Sequence, residues 1–299
     1  MSDTNTMAFI GLGAMGGGMA RSLLQAGFKI RAFDVDGDAM ARFADDGGQT
    51  AASPARAAEG CSLLLIVVAT AAQAETVLFG TDGAAAALAP GATVVLHSTV
   101  GPEAMQSLGD RLGDLGFTLL DAPISGGAAR AATGELTVMA SGPEAAFAAA
   151  DAALAAMSER VYRLGEEIGA ASTVKMVNQL LAGVHIAAAA EAMALGVRAG
   201  ADPRVLYDVI SNAAGSSWMF QNRVPHMLDG DYTPLSAVEI FVKDLGIVLE
   251  EGRGFRFPLP LAAAAHQQFL AAAAAGFGRE DDAAVVKVYE RLAGIDVSG

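Results

Sequence analysis

Cysteine, cations and long unbroken apolar runs are all scarce in this chain, and each shortage removes a class of protein. Cys61 is the only cysteine, which excludes an intramolecular disulfide and a cysteine-based metal cluster; no metal is expected. It stands beside the apolar run Leu63 to Val68, so a buried thiol is predicted. Lys and Arg number 19 against 33 Asp and Glu, for a formal net charge of −14. Such a surface repels nucleic acid and anionic membranes, and neither is an expected partner. An anionic substrate then needs a locally positive pocket. No apolar stretch reads as long and clean enough to span a bilayer, because His185 and Glu191 interrupt the alanine-rich segment around Ile186. The polar start, Met1 to Thr6, lacks signal-peptide character, which leaves the cytoplasm as the expected location.

What the chain has is apolar substance and a glycine-rich turn. At 299 residues and 53% apolar, it suits one large globular domain or two modest ones. Phe9-Ile10-Gly11-Leu12-Gly13-Ala14-Met15-Gly16 runs from a short apolar strand through a Gly-x-Gly-x-x-Gly turn into a helical stretch, Met15 to Ala26. Gly11 permits the tight turn, Gly13 lets a pyrophosphate approach the backbone, and Gly16 lets helix and strand pack closely. The helix N-terminus offers free N–H groups and a positive dipole end. Asp34 ends the next strand-like run, Lys29 to Phe33, at the spacing expected of an acid that binds ribose hydroxyls. A carboxylate there repels a 2′-phosphate, so the expected cofactor is NAD, held by Gly11, Leu12, Gly13, Ala14, Met15, Gly16 and Asp34.

The first half continues as alternating strands and helices. Strands are predicted at Met7–Ile10, Lys29–Phe33, Ser62–Val68, Thr93–His97, Phe117–Leu120 and Leu136–Ala140. Helices between them include Ala39–Asp45, Pro102–Leu115 and Glu144–Met157. After Gly169 strand signals stop. A long alanine-rich helix is predicted over Ser172–Ala199, then helices near Pro203–Ser211, Ser236–Glu251, Leu259–Ala275 and Asp281–Leu292. Pro203, Pro225, Pro234 and Pro258 are expected at helix starts and connections. The predicted class is α/β: an N-terminal Rossmann-type, mostly parallel sheet (1–168), joined by the long helix to a C-terminal all-α domain (169–299).

Two further segments carry chemistry. Asp121 to Gly127 follows a predicted strand, where open α/β sheets bind ligands. Ser125 offers a hydroxyl, and Gly126 and Gly127 can expose N–H groups to a carboxylate. Lys175 shares a helix face with Asn178 and Gln179 at i+3 and i+4. An ammonium group there can exchange a proton with an alcohol or carbonyl oxygen, and the amides can orient a substrate. His185 reads as a core or interface residue. Lys243 beside Asp244 passes, by itself, for a surface ion pair.

These four motifs, in order and at this spacing, resemble the β-hydroxyacid dehydrogenase family, which includes 3-hydroxyisobutyrate dehydrogenase and tartronate semialdehyde reductase. The resemblance implies that Lys175 is the catalytic proton-transfer residue and that Ser125, Gly126 and Gly127 bind substrate. It implies that Lys243 lies by the cofactor and that Val68, Ala69, Gln73 and Thr99 line its nicotinamide or ribose side. The family's usual Asn four residues after the lysine is Gln179 here, so whether Asn178 or Gln179 meets the substrate stays open. Gly18 and Ser22 replace its common Pro and Asn, changes that concern helix packing. Thr137–Gly142, Ser217–Phe220 and Gly230–Pro234 resemble the branch that acts on the four-carbon sugar acid L-threonate, with Trp218 and Phe220 then helping to shape the pocket. The expected activity is NAD-dependent oxidation of a small anionic hydroxy acid, L-threonate to its 2-oxo acid. The alternatives are a sister enzyme acting on 3-hydroxyisobutyrate or glycerate (a 3-hydroxyisobutyrate dehydrogenase or a tartronate semialdehyde reductase), an imine reductase of similar fold, or an NAD-binding scaffold without catalysis. The alanine-rich helices suit close packing between subunits, and a homo-oligomer is expected.

Overall fold

A computed structural model describes residues 6–298; the polar start up to residue 5 lies outside them. The chain divides into two compact units, Met1–Lys175 and Met176–Gly299. In the first, six parallel strands form one sheet: β1 (Thr6–Ile10), β2 (Lys29–Phe33), β3 (Gln49–Thr50), β4 (Leu63–Ile66), β5 (Thr93–Leu96) and β6 (Thr118–Asp121). Their order is β3-β2-β1-β4-β5-β6. Leu-Leu-Leu-Ile in β4 is apolar throughout and Thr-Val-Val-Leu in β5 is buried throughout, as a sheet covered on both faces requires. Their alternation feeds two cores. Phe9, Leu65, Val95 and Leu120 pack with Met19 and Leu23 on one face. Ile10, Leu64, Ile66 and Leu96 pack with Met105 and Leu108 on the other. Each such side chain, fully buried, contributes about 1.5–3 kcal/mol. The strand order reverses between β1 and β4, the point at whose carboxyl ends open α/β sheets bind ligands.

A second sheet departs from the expected single one. Leu136–Ala140 (β8) does not join the six strands; it lies between β7 (Ile124–Ser125) and β9 (Ser158–Arg163). The cause lies in the backbone after β6. Asp121 and Ser141 exchange N–H···O bonds of 3.0 and 2.9 Å in an antiparallel bridge, and Met139 N–H donates to Pro123 O at 3.0 Å. Those bonds draw β8 antiparallel along the segment leaving β6.

Among the described residues of the second unit there is no strand. Its helices are the remainder of Ala170–Arg198, then Pro203–Ser211, Trp218–Asp229, Val238–Gly254, Pro260–Ala272 and Val286–Ala293. Ile186, Ala190, Met193, Phe220, Phe241, Leu245 and Phe269 lie in their common core. Two expectations are corrected here. Pro225 sits inside a helix rather than at its start. Proline cannot donate to the carbonyl four residues back; that carbonyl, Gln221 O, accepts from Tyr207 Oη at 3.1 Å instead. The helix Ala170–Arg198 is, by length and composition, long and apolar enough to cross a membrane, contrary to the sequence expectation. Its apolarity has a use within the unit, since Ile186, Ala190 and Met193 are fully enclosed.

Candidate active site

The glycine turn sits at the carboxyl end of β1, and steric crowding dictates its glycines. Gly11 has φ +100°, and a Cβ on it would lie 2.1 Å from Val67 O. A Cβ on Gly16 would lie 1.9 Å from Gly11 O. By contrast a Cβ on Gly13 would meet nothing within 4 Å, so open space lies over the turn. Ala14 is exposed and Met15 half-buried. Met15 precedes the helix Gly16–Gln25 and supplies no capping side chain; Gly17 N–H is taken by Gly13 O at 2.9 Å, and the positive end of the helix is open to an anion. Asp34 ties the turn to the end of β2: its Oδ2 accepts from Leu12 N–H at 2.5 Å and its Oδ1 from Asp36 N–H at 2.8 Å. Open space, a positive helix end and a half-buried carboxylate fit a dinucleotide.

The neighbouring strand ends continue this rim. Val68 and Ala69 follow β4, and Ser98 and Thr99 follow β5. Val68 N–H donates to Ser98 Oγ at 3.2 Å, joining the two loops. Gln73 turns back on its own loop, where its Oε1 accepts from Ala69 N–H at 2.9 Å and Thr70 N–H at 3.2 Å. It shapes the loop that presents Val68 and Ala69. His97, at the end of β5, is buried, and its Nδ1–H donates to Ala122 O at 2.7 Å. Burial pulls its pKa down to about 4, so the ring is neutral. Cys61 is buried as predicted, and burial raises its thiol pKa.

Beyond β6, Ser125 ends β7 opposite Thr137, and Gly126 (φ +138°) and Gly127 (φ +75°) lead into the helix Gly127–Thr133. An L side chain is strained at both glycines. At the base of this loop Asp121 is fully buried. Its Oδ2 accepts from Gly169 N–H at 3.1 Å and Ser172 N–H at 2.9 Å, and its Oδ1 from Ser172 Oγ at 2.9 Å. Ser141 Oγ, 3.4 Å away, donates to it as well, and accepts from Ala171 N–H at 3.0 Å. Burial raises the Asp121 pKa to about 6 against the opposing pull of these donors. Three residues beyond Ser172 stands Lys175, only 6% exposed. A lysine buried to that degree is not the solvated helical lysine of ordinary surfaces.

In the second unit, Gln179 is buried, with both ends of its amide engaged. Its Oε1 accepts from Asn178 Nδ2 at 2.9 Å, and its Nε2 donates to Asp244 Oδ2 at 2.5 Å. Lys243 Nζ lies 2.7 Å from Asp244 Oδ1. Asp244 is 2% exposed, so Lys243-Asp244 is no surface pair. Trp218 is exposed, whereas Phe220 is core, stacked on Tyr207 at 5.9 Å. Sequence reasoning gave no site role to Ser98, Ser141 or Ser172, read Asp244 only as an ion-pair partner, and took Asp121 only as the start of a ligand-binding loop. Only Asp121 carried a signal, a carboxylate closing an apolar strand.

Residues 6–165 match the NAD binding domain of 6-phosphogluconate dehydrogenase. Residues 169–289 match the NAD-binding model of NADP-dependent 3-hydroxyisobutyrate dehydrogenase. The chain is 57% identical over 296 residues to an L-threonate dehydrogenase of Cupriavidus necator, covering 99% of both chains. It is 48% identical over 287 residues to one of Escherichia coli, covering 96% of this chain and 95% of that one. The crystal structure of a 3-hydroxyisobutyrate dehydrogenase from Salmonella typhimurium superposes with a TM-score of 0.89 at 50% identity, covering 95% of this chain and 99% of that one. The chain belongs to the β-hydroxyacid dehydrogenase family, 3-hydroxyisobutyrate dehydrogenase-like, and is an NAD-dependent hydroxyacid dehydrogenase.

Proposed function

We propose that this protein oxidises L-threonate to its 2-oxo acid, with NAD in preference to NADP. The observation that carries the reading is the burial of Lys175 on a helix whose first turn is bonded to the end of β6, four residues before Ser125. A hydroxy acid needs an anion site and a proton acceptor, and this segment offers both. Ser125 Oγ and the N–H groups of Gly126 and Gly127 hold the substrate carboxylate. Lys175, as the neutral amine, takes the proton of the C2 hydroxyl as its carbonyl forms. NAD held by the glycine turn would supply the hydride acceptor for C2. Asn178, whose Oδ1 is not used by Gln179, orients the polyol chain. Gly11 to Gly16 and Asp34 hold the pyrophosphate and ribose; Val68, Ala69, Gln73 and Thr99 border the nicotinamide side, and Lys243, by the family resemblance, serves the cofactor. Asp34 favours NAD because its carboxylate would stand against a 2′-phosphate.

The relatives named for L-threonate, matched end to end, support that substrate. The solved relative named for 3-hydroxyisobutyrate keeps that acid as the second reading. Reduction of NAD and of NADP, followed by absorbance with L-threonate, 3-hydroxyisobutyrate and glycerate in turn, separates them. L-threonate with NAD should give the highest kcat/KM; a higher value for another acid replaces it. The same reading places the enzyme in the cytoplasm as a homo-oligomer, which sedimentation at several concentrations checks.

A further inference from the structure

We propose that Asp121 is a positioning residue for the reaction, one carboxylate that sets both the Ser125–Gly127 loop and the rotation of the helix carrying Lys175. The inference rests on the reading of Lys175 as the proton acceptor. Asp121 is 0% exposed and receives four donors: Gly169 N–H, Ser172 N–H, Ser172 Oγ and Ser141 Oγ. Ser141 Oγ in turn takes Ala171 N–H. The N–H groups of Ala171 and Ser172 belong to the first helical turn and have no intrahelical acceptor. They are therefore bonded, directly or through Ser141, to the end of β6.

Such an anchor fixes a helix in rotation as well as along its axis. Each residue turns the helix by about 100° and advances it by about 1.5 Å. A slip of one residue at Ser172 would swing Lys175 to another face. Ser125 is placed from the other side, by chain continuity with Asp121 and by the Asp121–Ser141 bridge beneath β7 and β8. Substrate anchor and base are thus referred to one atom group. A carboxylate suits the task because it only accepts, and an amide would turn N–H groups against the donors. Four donors hold its ionised form against the burial that raises its pKa to about 6.

The test compares Asp121→Asn and Ser172→Ala with the parent enzyme, each alone and combined with Lys175→Ala. The readouts are kcat, KM for L-threonate, NADH affinity by fluorescence, and melting temperature. With Lys175 present, kcat should fall about 10- to 100-fold, as for a misplaced reacting group, with NADH affinity unchanged. With Lys175→Ala, adding Ser172→Ala should give no further loss in single-turnover oxidation. Unchanged kcat accompanied only by a lower melting temperature would overturn the proposal. So would a Ser172→Ala loss of equal size with and without Lys175. If Asp121→Asn fails to fold, Ser172→Ala, which keeps the carboxylate and both backbone bonds, decides. Full activity of Lys175→Ala alone would remove the premise, a result distinct from failure of the anchor.

Discussion

Gln179 donates through Nε2 to Asp244 Oδ2 across 2.5 Å, while its Oε1 accepts from Asn178 Nδ2. A glutamine engaged at both ends holds its neighbour Asn178 and Asp244 in place. Gln179→Leu should therefore leave Asp244 with a buried, unsatisfied oxygen and destabilise the fold by about 1–3 kcal/mol. It should also raise KM for L-threonate by releasing Asn178. Asn178→Ala should raise KM with little change in stability. Urea denaturation and steady-state kinetics on the two variants distinguish the roles; a Gln179→Leu protein as stable as the parent would contradict the assignment.

Asp34 carries the cofactor preference. Its two oxygens also hold Leu12 N–H and Asp36 N–H, so its loss loosens the turn as well as removing a charge. Asp34→Ser should lower kcat/KM with NAD by about 10- to 100-fold, a loss of about 1.4–3 kcal/mol. The NAD-to-NADP ratio of kcat/KM should fall with it. An unchanged ratio would place cofactor selection elsewhere.

His97 gives a pH signature. Its pKa in the fold is lowered from 6.5 to about 4, chiefly by burial. The unfolded chain thus binds a proton that the native chain refuses between those values, and stability falls as pH drops from 6.5 toward 4. The slope for one such proton is about 1.4 kcal/mol per pH unit. His97→Gln can keep the bond to Ala122 O and lacks the titration. The stability advantage of the parent over His97→Gln should therefore shrink between pH 7 and 4.5 in urea denaturation. A difference independent of pH would contradict the neutral buried ring.

The sequence was legible where local pattern and tertiary demand coincide. Lys29–Phe33, Leu136–Ala140, Glu144–Met157 and Pro203–Ser211 begin and end where residue patterning puts them. Gln49–Thr50 and Ile124–Ser125 are too short for any period to show. Ser158–Arg163 reads Ser-Glu-Arg-Val-Tyr-Arg, and every residue of it is half-buried or exposed, so it lacks an apolar face. The short helices Pro54–Ala58 and Gly127–Thr133 span a turn or two. Trp218–Asp229 was obscured by Pro225, which the Tyr207 hydroxyl makes tolerable. Glycines at Gly11 and Gly16 announce themselves because backbone crowding leaves no other residue there. The Asp121–Ser141–Ser172 cluster does not, since its members stand 20 and 51 residues from Asp121 and meet only through the fold.

The central claim is that Lys175 takes the substrate's proton. Its most direct measurement is kcat for L-threonate oxidation by Lys175→Ala beside its NADH affinity. Turnover should fall about 10²- to 10⁴-fold, the range of a lost general base, with NADH binding as tight as in the parent. Turnover near the parent rate, with NADH bound equally well, would contradict the account.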